Sequence, residues 1–162
     1  MVINRELAAY GVFQIAFATL DTRLSRSVVA LCRCENTKLT FAIVSSMPFG
    51  RRLEILRRAV KTTRADLPND SDIRELDDAC NLAESVQKWR NARIHAEVRF
   101  HENEPVLIGP DGRPLVIDGK ECEQKIRDAI HAGIGMETAV PHLCAFRQDI
   151  EELMGGSPDA GL

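Results

Sequence analysis

The chain has no run of about 18 apolar residues, so no membrane-spanning helix is expected. Its first residues, Met1-Val2-Ile3-Asn4-Arg5-Glu6, lack the charged start and apolar stretch of a secretory signal. P-loop, G-x-G-x-x-G and H-E-x-x-H patterns are missing, which removes the usual phosphate-cradling and zinc-protease signatures. The cysteines (Cys32, Cys34, Cys80, Cys122, Cys144) form an odd, scattered set that suits a reducing cytosol better than a disulfide framework. Zinc pairing wants C-x(2–4)-C and H-x(3–5)-H; Cys32-x-Cys34 is too close, and His142 with Cys144 stands alone. Buried thiols are the simpler reading. Asp70/Asp72 and Asp77/Asp78 read as loop and helix-start acids, not as a two-metal cluster. His101 and His131 carry no recognisable partner. An excess of one charge sign is lacking too. The formal net charge of −3 does not mark the whole molecule as a nucleic-acid binder, so any RNA contact needs a local basic patch. The expectation is a cytoplasmic protein that uses no metal or cofactor and no membrane.

What is present is a globular, helical pattern in one domain over residues 1–154, followed by a Gly/Pro/Ser-rich tail, 155–162, expected to be flexible. Asn4 can cap a first helix running to about Cys34, with Leu7, Tyr10, Phe13, Phe17, Leu20, Leu24, Val28 and Leu31 on one buried stripe. Gly11 in that stripe suggests close approach of a neighbouring helix or a partner chain. Leu39–Val44 is a short apolar run open to a buried helical turn or a strand, with a short helix the expectation. The next helix opens near Pro48 and carries Phe49, Leu53, Leu56 and Val60 on one face. Asp72 and Glu75 look like a capping box for the helix that follows, through Leu76, Cys80, Ala83, Val86 and Trp89. Beyond it, Val98–Phe100, Val106–Ile108 and Leu115–Ile117 read as short strands, with Gly109-Pro110-Asp111-Gly112 as the turn between the last two. Asp118–Glu121 offers a second capping box. The helix it opens is expected to break at Gly133 and Gly135, with a last helix kinked or delayed by Pro141. The fold class is therefore mainly α, a bundle of about five helices with a small β-hairpin at about 98–117.

Polar chemistry concentrates in Trp89-Arg90-Asn91-Ala92-Arg93-Ile94-His95. Asn91 and His95 are four apart and share a helix face, whereas Arg90 and His95 sit about 140° apart on a regular helix. They converge on one ligand if the helix ends or kinks here, or if a second chain supplies the other half across an isologous interface. The plainer alternative is that Arg and His near a helix C-terminus simply bond the last carbonyls and face the negative end of the dipole. Trp89, the sole tryptophan, is a candidate core or dimer anchor, or a platform under the Arg93 guanidinium.

The pattern R-N-x-x-x-H at Arg90, Asn91 and His95 resembles the signature of the HEPN superfamily, small helical bundles that include many metal-independent endoribonucleases of toxin or defence systems. The long first helix with its Tyr10-Gly11 pair, a shorter helix and then the motif helix fit the same layout over roughly residues 5–100. The resemblance implies a homodimer and a composite site at which Arg90 steadies phosphate charge, His95 moves protons and Asn91 orients His95 or bonds a phosphate oxygen. It implies 2′,3′-cyclic phosphate and 5′-hydroxyl products, and a cognate antitoxin or regulatory protein as a possible partner. The alternative is a non-catalytic HEPN-like module that binds RNA, a nucleotide or a protein. A third reading is an unrelated all-α protein with a polar dimer seam. Arg51, Arg52, Arg57, Arg58, Lys61 and Arg64 against Glu54 make the one strongly basic stretch; Arg51, Arg52, Arg57, Arg58 and Lys61, with Arg93, are the candidate RNA-backbone contacts. A solvated helix face is the competing explanation.

Overall fold

The computed structural model describes residues 5–32, 36–66, 70–94, 96–101, 104–109, 112–115 and 118–154. Asn4, the expected first cap, and the tail 155–162 lie outside the described residues. Among them are five helices: α1 (Arg5–Cys32), α2 (Thr37–Ser46), α3 (Phe49–Asp66), α4 (Ser71–Ile94) and α5 (Gly119–Met154). Strands β1 (Glu97–His101) and β2 (Glu104–Ile108) lie between α4 and α5. No helix among the described residues is long and apolar enough to cross a membrane.

The hydrophobic stripe of α1 packs as its spacing predicts: Phe13, Phe17, Leu20, Leu24 and Val28 are buried. Helices α1, α3, α4 and α5 enclose one core, with Leu56 of α3, Leu76 and Val86 of α4, and Met136 of α5 at its centre. Cross-links fix the helix directions. Arg23–Glu137 and Cys144 Sγ on the Ala30 carbonyl run in step, so α1 and α5 are parallel. Arg93–Glu121, Ser85–Lys125 and Glu75–Thr138 run in opposite order, so α4 and α5 are antiparallel. Arg57–Glu84 and Arg64–Asp77 set α3 antiparallel to α4. Because α3 follows α1 in the same sense (Phe17 on Phe49, Asp21 on Arg52), the chain must travel back between them. The expected short helix α2 makes that return, capped by Asn36, whose Oδ1 accepts from Leu39 N at 3.0 Å. Only Val44 of α2 is buried; Leu39 and Ile43 stay exposed.

Several expectations are corrected. The α4 cap is Asp70, not Asp72: its Oδ1 accepts from Asp72 N at 2.8 Å and Ile73 N at 3.1 Å. Glu75 accepts from Thr138 Oγ1 across to α5, at 2.9 Å. The final helix does not break at Gly133 or Gly135, and it continues through Pro141. Those glycines serve packing: a Cβ at Gly133 would fall 2.7 Å from Arg23 Cδ, and one at Gly135 would fall 3.0 Å from the Ala79 Cβ. Gly11 shows the reverse, since a Cβ there meets nothing within 4 Å in the chain itself.

The hairpin expected over 98–117 is also corrected. The Gly109–Gly112 turn forms, with Gly112 N donating to Gly109 O at 2.9 Å and Gly112 at φ +75°. It does not lead into a ladder. Pairing instead joins β1 to β2, from Glu97↔Ile108 to His101↔Glu104. After the turn there is one bridge among the described residues, Ile108↔Pro114, flanked by Gly109 N donating to Arg113 O at 2.8 Å and Leu115 N donating to Leu107 O at 2.7 Å. Residues 116 and 117, expected to finish the third strand, lie outside the described residues.

Two glycine substitutions should separate these roles in urea unfolding. Gly11→Ala should raise stability by about 0.5–1 kcal/mol, because it gains helix propensity without a clash. Gly135→Leu should lower it by about 1–3 kcal/mol through overpacking against Ala79. A destabilising Gly11→Ala would show that a Cβ at Gly11 does meet a neighbour.

Candidate functional site

The last turns of α4 lie against the first half of α1 through aromatic rings. Trp89 packs edge-on to Phe13, ring centroids 4.6 Å apart, and tilted to Tyr10 at 6.2 Å. Phe17 stacks on Phe49 of α3 at 5.1 Å. The helical period places Trp89 and Arg90 side by side on the edge of this cluster, with Arg93 one turn beyond.

Each of the three has a distinct environment. The Arg93 guanidinium lies over the Trp89 ring, 4.0 Å from the centroid. It also bonds Glu121 at 3.0 Å and the Trp89 carbonyl at 3.3 Å. Trp89 is thus both core anchor and platform, and Arg93 ties α4 to the start of α5. The Arg90 guanidinium lies over the Phe17 ring at 4.4 Å. It meets no carboxylate among the described residues, and its Nε is buried without a hydrogen-bond partner. Trp89 Nε1 and Arg93 Nε are also buried and unpartnered, so this end of α4 holds more N–H donors than acceptors. Asn91 is exposed on the same turn. His95 lies outside the described residues.

Tyr10 belongs to this cluster as well. Burial pushes its phenol above the ordinary value of 10.0, against a hydrogen bond with Gln14 and the positive charges of Arg90 and Arg93. The sequence pattern places Phe17 only on the core stripe, and Tyr10 on that stripe and in the Tyr10-Gly11 pair. Their spacing announces burial, but the nearness of Arg90 comes from packing between helices 70 residues apart.

The basic stretch of α3 is largely engaged by acids. Arg51 and Arg58 both bond Glu54, at 2.6 Å for Arg51. Together they hold the Glu54 carboxyl below its ordinary value. Arg57 bonds Glu84 at 2.6 Å and Asn81 at 2.9 Å. Hydrogen bonding from Lys88, with the nearby Arg57 charge, likewise lowers the Glu84 carboxyl. Arg52 is buried; it bonds the Asp21 carboxylate and carbonyl and the Ser25 hydroxyl, and joins α3 to α1. Lys61 is exposed. Sequence spacing could not reveal these partners, because Asp21, Asn81 and Glu84 arrive from other helices. The structure therefore does not gather the α3 cations around Arg90 as a free basic wall.

No group of three or more His, Cys, Asp or Glu among the described residues is arranged to hold a metal ion. Cys80 and Cys122 are buried, and burial pushes the Cys80 thiol from 9.0 up to about 12. Comparison of the chain with protein-family models, with curated proteins and with solved structures returned no match.

The Cys80 thiol makes stability fall at alkaline pH. The folded state keeps its proton to about 12, while an unfolded thiol loses it near 9.0. That contribution is complete below pH 9.0 and is lost as pH rises toward 12. Between pH 8 and 10.5 the wild type should lose roughly 1–2 kcal/mol more unfolding free energy than Cys80→Ala. Parallel pH profiles for the two proteins in urea titrations would refute this.

Proposed function

We propose that this chain is a HEPN-like protein acting as a metal-independent endoribonuclease, with Arg90, Asn91 and His95 in its site. The observation that carries the reading is the Arg90 guanidinium, which rests on an aromatic ring with no acid among the described residues to neutralise it. The other candidate arginines, Arg51, Arg52, Arg57, Arg58 and Arg93, each have a carboxylate. An arginine kept free of carboxylates is available to an anion, and its planar donors suit two phosphate oxygens. The surplus of N–H donors around it favours the same kind of ligand.

In this mechanism His95 takes the ribose 2′-OH proton as the 2′-oxygen attacks phosphorus. Arg90 stabilises the charge gathering on the non-bridging oxygens. The bond from phosphorus to the 5′-oxygen breaks, and a protonated imidazole supplies that oxygen with its proton. The products are a 2′,3′-cyclic phosphate and a 5′-hydroxyl. One imidazole cannot serve as base and acid at the same moment, so a homodimer providing two Arg90–His95 sets fits the requirement. A cytoplasmic toxin–antitoxin or defence role, with a cognate regulatory protein, belongs to the same proposal.

A second reading is a non-catalytic HEPN-like module that binds RNA, a nucleotide or a protein. It is favoured by the engagement of the α3 arginines with acids, which leaves no continuous phosphate track beside Arg90. RNA cleavage in EDTA separates the two. Wild type should leave cyclic-phosphate ends, and Arg90→Ala and His95→Ala should each slow cleavage by at least ~10²-fold. Equal cleavage by wild type and both variants would sink the catalytic assignment. RNA retention without cleavage, lost on Arg90→Ala, would establish the binding module instead.

A further inference from the structure

The outer face of α5 presents Arg127, Ile130, Ile134 and Glu137 in a row. At 3.6 residues per turn these four lie within about 80° of one another around the helix axis. Ile130 and Ile134 are each 45% exposed, which is unusual exposure for two isoleucines one turn apart. Beside them runs an apolar groove between α5 and α1, lined by Val12, Ile15, Ile126 and Ile130. Val12 is 53% and Ile15 is 69% exposed. From Leu7 to Leu20 the sequence of α1 has no charged residue, so the α1 side of the patch is uncharged as far as Arg23, which lines the groove and bonds Glu137.

The order of residues on α5 selects the occupant. Cation, isoleucine, isoleucine and anion follow at intervals of three, four and three, symmetric in spacing about position 132 and opposite in charge at the two ends. A second α5 laid antiparallel on the first, centred there, places Ile130 of one copy against Ile134 of the other. The same fit places Arg127 of each copy against Glu137 of the other. A parallel pairing would put Arg127 on Arg127 and Glu137 on Glu137, which is repulsive. Arg127 is available for this contact: it bonds only Gln124 Oε1, at 3.0 Å, and meets no carboxylate among the described residues. Glu137 is 43% exposed beside Arg23 and keeps carboxylate surface for a second cation.

We infer that the outer face of α5, with the adjoining groove of α1, is a self-complementary surface on which a second copy of this chain docks with the two α5 helices antiparallel. The isologous contact buries the exposed isoleucines and closes two Arg127–Glu137 bridges. This inference does not rest on the proposed nuclease activity, and RNA cleavage neither supports nor refutes it.

Sedimentation of the full-length chain over a concentration series tests it. Wild type should form a dimer. Ile130→Asp and Ile134→Asp should each give a monomer with unchanged helical circular dichroism, since both side chains are exposed. Arg127→Glu should weaken the dimer at least ~10-fold by facing acid with acid, and adding Glu137→Arg should recover most of that loss. A monomeric wild type would overturn the inference, as would a dimer indifferent to both aspartate substitutions. A dimer lost with Ile130→Asp yet untouched by charge reversal would refute the antiparallel fit.

Discussion

The aromatic cluster at the α1–α4 crossing is the contact on which the rest of this molecule depends. The chain is poor in aromatics, yet Tyr10, Phe13, Phe17, Phe49 and Trp89 gather in one place. Large rings dominate core energetics, so this cluster joins α1, α3 and α4 at one end of the bundle. It also decides how three arginines are held. Arg93 lies on Trp89, Arg90 on Phe17, and Arg52 within 5.9 Å of the Phe49 ring centroid. A guanidinium over a ring gains about 0.5–2 kcal/mol without losing its charge to a carboxylate. Arg90 meets no carboxylate among the described residues, so its positive charge stays unspent there.

The same economy of partners governs the basic residues elsewhere. Six cationic and acidic side chains between α3 and its neighbours are matched in space although they look unmatched along the chain. A single Glu54 against many arginines suggests a basic ridge. Folding brings Asp21, Asp77 and Glu84 alongside, and the ridge becomes a set of bridges between helices. Most are exposed at the surface and contribute little to stability individually. The Arg52–Asp21 bridge differs, because Arg52 is buried: removing Asp21 would leave a desolvated charge, so this bridge specifies how α3 lies on α1.

Two surfaces then stand apart from this compensated background. One is the end of α4, where donors exceed acceptors around Arg90. The other is the outer face of α5 with the groove of α1, where isoleucines are exposed. They differ in chemistry, polar against apolar, and so ask for different ligands. The antiparallel α5 contact leaves the Arg90 ends of the two copies at opposite ends of the pair, so a site built from two Arg90–His95 sets would need a separate contact between copies.

The sequence by itself determined the helices, because a 3.6-residue apolar period is a local property that any neighbour must accept. It determined the stripe of Phe13, Phe17, Leu20, Leu24 and Val28 and the concentration of polar chemistry near Arg90, while Leu39–Val44 stayed open between helix and strand until Asn36 was seen to cap α2. It marked the Gly109–Gly112 turn as well. Only the tertiary structure decided what each of these meets. Glycines at 133 and 135 read locally as breaks, yet two neighbouring helices approach them and keep α5 continuous. Asp70 rather than Asp72 caps α4, a choice of register among nearby acids that depends on where the helix begins to pack. The bridges of Arg52, Arg57 and Arg93 lie between residues 27 or more apart in the chain, and charge pairing over such separations exists only once the helices are side by side.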